Sequence, residues 1–224
     1  MKVGLDALTL RPLNLSPFDY ILKLEEYGLE GMQYFSQEVR AMDPDTRKAF
    51  AEEMAAKGLY LELTGSGVNP GRIGKSVDEL VEAWKPLFPL AKEVNATILN
   101  TCFGLLKERT LESPTMAEQV AFTTEVLRRL APMAADHDVT VTMELHVDLT
   151  SKELASLIEA VDSPYVQVNM DTANPLGLLE DPIEATRILA PYAKTTHYKD
   201  TCVFPAEGGY IWLGGAPLGT GLVD

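Results

Sequence analysis

The chain has 224 residues, 46% of them hydrophobic, and a formal net charge of −14 at pH 7. That length and apolar content suit one domain with a large core, while the acidic balance opposes a nucleic-acid phosphate backbone or an anionic membrane surface. Two cysteines make no disulfide framework, residues 208–223 are too glycine-rich and too few to span a bilayer, and Asp6, Arg11 and Pro12 break the apolar start a signal peptide needs, so a cytoplasmic protein with free thiols is expected.

Residues 2–8 (KVGLDAL) read as a first strand. Ser16-Pro17-x-Asp19 opens a helix to Tyr27, and Gly28 supplies a left-handed stop. LEGMQYF gives a second strand, residues 43–57 a helix stopped by Gly58, and LYLELTG a third strand. A glycine-rich loop follows. Ser76-x-x-Glu79 then starts a long helix to about Asn95, which Pro86 and Pro89 should kink or split. ATILNTC is a fourth strand and residues 114–136 a helix.

From Val139 onward three strand-like runs each end in a residue able to bind a divalent cation. VTVTMEL delivers Glu144, YVQVNM delivers Asp171 and AKTTH delivers His197. The intervals are 27 and 26 residues, about one βα unit each. Between them, Thr150-x-x-Glu153 reads as a capping box and Asp181-Pro182-x-Glu184 as a helix start with proline in the first turn. After His197-Tyr198-Lys199-Asp200 a long loop is expected, and a further helix should begin at residues 222–224.

Seven strands alternating with six helices, without paired hairpins, imply a parallel sheet covered by helices. An open dinucleotide-binding sheet should carry Gly-x-Gly-x-x-Gly after the first strand, and GLDALTLRPLN carries nothing like it. Parallel strands put all their carboxyl ends on one face, so residues at equivalent points of successive units converge. The expected fold is therefore a (β/α)8 TIM barrel, one domain over residues 1–224. Such barrels usually need about 250 residues, so the last βα unit is expected to be missing from the sequence.

Several segments resemble one family. Residues 144–154 (ELHVDLTSKEL) are similar to its Glu-x-His-x-Asp-hydrophobic-Thr-Ser-x-Glu-Leu pattern, and Asp171-Thr172-Ala173-Asn174-Pro175 to its Asp-Thr-Gly-Asn segment. His197-Tyr198-Lys199-Asp200 is similar to its His-x-Lys-Asp, and residues 217–224 (PLGTGLVD) to its Pro-Leu-Gly-x-Gly-x-x-Asp. The chain resembles the xylose-isomerase-like barrels of the sugar-phosphate isomerase/epimerase group, strongly over residues 139–224 and in architecture before them. The resemblance implies that Glu144, Asp171 and His197 are metal ligands on strands five, six and seven, and that the fourth ligand is a glutamate on strand eight. Within the epimerase subgroup a histidine and a glutamate often stand where this chain has Asn174 and Thr150.

The chemistry follows from the residue types. Moving a proton between adjacent carbons of a hydroxy-carbonyl sugar passes through an enediolate, which a divalent cation stabilises as Lewis acid while a carboxylate transfers the proton. Glu144 is the expected ligand and base, His146 a hydrogen-bonding partner for a substrate hydroxyl, and Lys199 a stabiliser of oxyanion charge, with Asp200 orienting Lys199 or His197. Asn174 and Trp212 are the expected substrate contacts, with Tyr210 beside Trp212 in the glycine-rich loop. Each has a plainer reading: a loop histidine satisfied by backbone, a solvated lysine, an asparagine setting a turn, aromatics anchoring the loop. Two carboxylates and an imidazole suit manganese first, then magnesium, cobalt or zinc. Expected partners are a small-molecule sugar or sugar phosphate and, in a homo-oligomer, further copies of the chain.

The leading function is thus a metal-dependent isomerase or epimerase. A lyase of the inosose-dehydratase kind uses the same ligands and the same enolate. An apurinic endonuclease needs more histidines than the three present and a less acidic surface. A non-catalytic binding barrel is the remaining alternative.

Overall fold

The computed structural model describes residues 1–205, 207 and 211–223, without the side chains of residues 211–213. Its strands are β1 (Leu5–Asp6), β2 (Gly31–Tyr34), β3 (Tyr60–Thr64), β4 (Ile98–Cys102), β5 (Thr140–Glu144), β6 (Val166–Asp171) and β7 (Ala193–His197), all parallel and paired in chain order. The sheet curls back on itself as a TIM barrel does: Thr195 on β7 donates to Glu62 on β3 at 2.8 Å, and His197 Nε2 lies 3.9 Å from Asp6 Oδ2 on β1.

The helices begin where local chemistry tells them to. They are α1 (Pro17–Glu26), α2 (Ser36–Ala41), α3 (Pro44–Ala56), α4 (Pro70–Ile73), α5 (Val77–Trp84), α6 (Leu87–Glu93), α7 (Met116–His137), α8 (Ser151–Val161) and α9 (Pro182–Leu189). Reciprocal capping boxes start α1, α5, α7 and α8, satisfying backbone donors that the first turn leaves free. Asp43 and Asp181 cap α3 and α9, each followed by proline in the first turn. The long helix expected over 76–95 is split at Pro86 into α5 and α6, because proline lacks the amide proton an interior turn requires. Gly28 and Gly58 both adopt a positive φ, as chain reversal before the next strand demands. Among the described residues no helix is long and apolar enough to cross a membrane.

Three expectations need correction. The first strand is only Leu5–Asp6, because the Asp6 carboxylate accepts from Leu8 N and starts a 3-10 turn over Ala7–Leu13. The long loop after His197 contains an antiparallel hairpin, β8 (Asp200–Pro205) with β9 (Ile211–Ala216). The helix expected from 222 does not begin at Leu222 or Val223, whose amides bond to Thr201 O and Asp200 Oδ1 instead; residue 224 lies outside the described residues.

Side chains alternate along the strands. Met32, Leu61, Leu63, Leu99, Val141, Met143, Val166 and Val168 face the helices and pack with Leu24, Phe50, Trp84, Phe88, Leu127, Leu154 and Ile158 in one continuous core. Burying each such aliphatic or phenyl group contributes about 1.5–3 kcal/mol. The opposite face is polar. Gln33, Glu62, Asn100, Thr142, Asn169, Asp171, Thr195 and His197 line the barrel interior, in register across the sheet. They are tied together: Thr142 donates to Asn100 Oδ1 at 2.9 Å, Asn100 reaches Gln33 Oε1 at 3.3 Å, and Gln33 donates to Glu62 at 3.2 Å. This network is the floor on which the carboxyl ends of the strands stand.

Candidate metal centre

Glu144, Asp171 and His197 end three consecutive strands, and register pairs Asp171 with His197. One ligand atom from each lies within 4.8 Å of the others. His197 Nδ1 is 3.4 Å from Glu144 Oε1, and its Nε2 is 3.1 Å from Asn169 Nδ2. Asp171 Oδ1 accepts from Ala173 N and Asn174 N at 3.0 and 2.9 Å, a turn that fixes the carboxylate immediately after its strand. Its other oxygen, Oδ2, is buried and has no aligned hydrogen-bond donor among the described residues. Lys199 Nζ sits 2.6 Å from that oxygen and 4.0 Å from Glu144 Oε1, so its ammonium pairs chiefly with the Asp171 charge.

Electrostatics match that geometry. Burial alone would raise the Glu144 carboxyl, but the hydrogen bond and charge of His197, with Lys199 and His146, hold it below its ordinary range. Burial alone would lower His197, and Glu144, Asp6 and Asp171 together raise it. Lys199 is likewise disfavoured by burial and then raised by Asp171 and Glu144. Two carboxylates and an imidazole are a donor set that a divalent cation satisfies.

The other expected residues surround this group. Asn174 Nδ2 donates to Leu145 O at 3.0 Å and approaches Glu144 Oε1 at 3.4 Å, so it braces the first carboxylate. Its Oδ1 is 3.5 Å from Lys199 Nζ. Asn174 and Lys199 line a cavity of about 430 Å³ with Val147, Gly177, Tyr198 and Leu218. A second cavity of about 670 Å³ runs down beside β1 and β7 past Asp6, Glu62, Thr195 and His197, with Lys199 lining it too. Asp200 accepts four backbone amides, from Thr201, Thr220, Gly221 and Val223, at 2.7–3.0 Å. It therefore ties the 217–223 segment down beside the hairpin and does not orient Lys199 or His197. The side chain of Trp212 and all of Tyr210 lie outside the described residues.

His146 belongs to a neighbouring cluster. Its Nδ1 lies 3.0 Å from Gly104 O, which can only accept, so this nitrogen carries a proton. Cys102, His146 and Asp148 have ligand-type atoms within 4.8 Å of one another. Both Asp148 oxygens are already taken, by Gly104 N and by Leu149 N at 2.6 Å, while burial raises its carboxyl to about 6. Burial pushes the Cys102 thiol up to about 11, with the Arg72 guanidinium 3.1 Å away opposing it. The cluster is a loop tie between β4 and β5.

Sequence reasoning missed Asn100, Asn169, Glu62 and Asp6, which surround the candidate ligands from below. Their signal was present in the period-two polar positions of LYLELTG, ATILNTC and YVQVNMD.

Comparison with known proteins places these features in context. A family model described as xylose isomerase-like TIM barrel matches residues 21–224. The 3-oxo-isoapionate decarboxylase of Pectobacterium atrosepticum is 25% identical over 190 residues, 83% of this chain and 61% of that protein. The chain thus spans less than two thirds of that relative's length. Among solved structures, the probable 3-DHS dehydratase AsbF of Bacillus anthracis superposes with a TM-score of 0.79 at 17% identity, covering 100% of this chain and 86% of that one. The D-psicose 3-epimerase of Clostridium cellulolyticum H10, solved with D-tagatose, gives 0.68 at 15% identity, covering 81% and 66%. At these identities the structural likeness speaks for the fold.

Proposed function

Because the chain belongs to the xylose isomerase-like TIM barrel family, we propose that it is a metal-dependent isomerase or epimerase of a sugar or sugar phosphate, with Glu144, Asp171 and His197 as protein ligands of the ion. The observation carrying this reading is the convergence of those three side chains, one ligand atom of each within 4.8 Å of the others, at the ends of three consecutive strands. Manganese suits the donor set best, with magnesium, cobalt or zinc as alternatives. When bound, the ion supplies Lewis-acid stabilisation of negative charge on the substrate's carbonyl oxygen.

The chain's own residues do the rest. Glu144 takes the proton from the carbon beside the carbonyl and returns it, its charge held available by the Asn100, Asn174 and His197 contacts, each at 3.4 Å. Lys199, drawn into the site by Asp171, supplies an ammonium against developing oxyanion charge. His146 hydrogen-bonds a substrate hydroxyl through Nε2, and Asn174 adds a further substrate contact.

The test is solvent exchange. Manganese-loaded protein incubated with a panel of ketoses and their phosphates in deuterium oxide should introduce deuterium next to the carbonyl, read by NMR, and Glu144→Gln should abolish the exchange. Exchange that survives Glu144→Gln, or none with any member of the panel, refutes the proposal.

A lyase on the same residues is the second reading. It is favoured by the decarboxylase relative, by the dehydratase match over the whole chain, and by Asn174 at a position where epimerase-like relatives often have histidine. Loss of water or carbon dioxide next to a carbonyl uses the same enolate. Appearance of an ultraviolet-absorbing enone, or of carbon dioxide, in place of an isomer would select it.

A further inference from the structure

We propose that Asn169 is a positioning residue: its side-chain oxygen accepts from His197 Nε2 and thereby turns the lone pair of His197 Nδ1 toward Glu144 and Asp171. The inference rests on the metal centre proposed above and extends it to a residue outside the ligand set.

The argument starts from the pleat. Asn169 lies two residues before Asp171 on β6, so both point into the barrel, and register places Asn169 between Glu144 on β5 and Thr195 on β7. Asn169 is fully buried. An imidazole can ligate a cation only through a nitrogen that carries no proton, and which nitrogen that is depends on the hydrogen bond made by the other. The His197 nitrogen facing the Glu144 carboxylate is Nδ1, 3.4 Å from its Oε1. The nitrogen facing away, Nε2, must then carry the proton and needs an acceptor.

Two groups stand near Nε2. Asp6 Oδ2 at 3.9 Å is beyond hydrogen-bond reach. The Asn169 amide is within reach at 3.1 Å, with its nitrogen toward the ring and its oxygen buried without a donor among the described residues. In that orientation the amide donates to Nε2, which forces the proton onto Nδ1 and removes the lone pair from the side where the carboxylates converge. The two ends of an amide are nearly the same size, so a half-turn about its last bond costs no space. After the turn the oxygen accepts from Nε2–H and Nδ1 is free to ligate. In either orientation at most one end of the amide lacks a partner, so the state of His197 decides between them.

This assigns Asn169 the acceptor role, and the role separates cleanly from a structural one. Asn169→Asp keeps an acceptor and removes both donors. Asn169→Leu keeps the volume and removes both. Manganese binding to each purified protein is measured by calorimetry, with folding checked by thermal melting in EDTA. The expected result is near-wild-type affinity for Asn169→Asp and a loss of about 10–100-fold for Asn169→Leu. Nitrogen NMR of the zinc-loaded wild type, with His197 assigned against His197→Ala, should give a protonated Nε2 and a metal-bound Nδ1, and this readout stands even if a variant does not fold. If the wild type binds manganese but Asn169→Asp is as weak as Asn169→Leu, or if Nδ1 carries the proton in the zinc form, the assignment to Asn169 is overturned and the metal centre is not. If the wild type binds no manganese, both fall.

Discussion

Truncating Asn100 to alanine probes whether the polar floor of the barrel supports the centre above it. Asn100 is buried on β4 and accepts from the Thr142 hydroxyl at 2.9 Å, while its amide lies 3.3 Å from Gln33 Oε1 and 3.4 Å from Glu144 Oε2. Thr142 is fully buried, so losing its acceptor leaves an unsatisfied hydroxyl worth about 1–3 kcal/mol. The two longer contacts are weaker, and removing the amide opens a small cavity while relieving the cost of burying it. The net destabilisation should be about 2–3 kcal/mol, within the range for buried truncations that orphan a polar group. Glu144 loses one of the groups holding its second oxygen, so manganese affinity should also fall by about tenfold or more. Urea unfolding in EDTA isolates the first effect from metal linkage, and calorimetry measures the second. A destabilisation below about 0.5 kcal/mol, the level of an ordinary surface change, together with unchanged manganese affinity, would refute the view that the floor and the centre are one structure.

Three further outcomes are expected. Burial raises the Glu62 carboxyl above its ordinary value, against hydrogen bonds from Thr195 and Gln33. The folded state therefore holds this proton more tightly than the unfolded chain, and the group's contribution to stability falls as pH rises through the raised value. Glu62→Gln should accordingly raise the melting midpoint at pH 7 and lose that advantage at pH 4; the same gain at both would contradict the argument. With the Cys102 thiol pushed up to about 11, its alkylation by iodoacetamide, followed by mass spectrometry, should stay slow at pH 8 and accelerate only as pH approaches that value. Lys199→Met should bind manganese at least as tightly as the wild type, because an ammonium 2.6 Å from Asp171 competes with the cation. Its turnover should fall by about 10²–10³, the usual cost of removing an oxyanion-stabilising group; weakened manganese binding would instead make Lys199 a support of the ligands.

Much of this architecture was legible because it is local. Ser16, Ser76, Thr150 and Asp181 announce helices in a few residues, and each caps the helix expected of it. The spacing of Glu144, Asp171 and His197 was legible because crossover geometry converts equal intervals into neighbouring strand ends, and those side chains do converge. The hairpin after Asp200 was hidden by its glycines, although TCVF and IWL have the β-branched and aromatic character of paired strands. Asp200 was read as orienting the site because of its place beside Lys199, whereas its four amide partners come from residues 201–223. Asn100 and Asn169 escaped for a different reason: a buried asparagine shows its role only when register brings its partner alongside.

The most direct measurement is manganese binding to the wild type and to Glu144→Gln, Asp171→Asn and His197→Ala by calorimetry at neutral pH. The account predicts one ion per chain for the wild type and affinity at least tenfold weaker in every variant. A wild type that binds manganese no more tightly than the three variants would contradict the claim that these side chains meet around a cation.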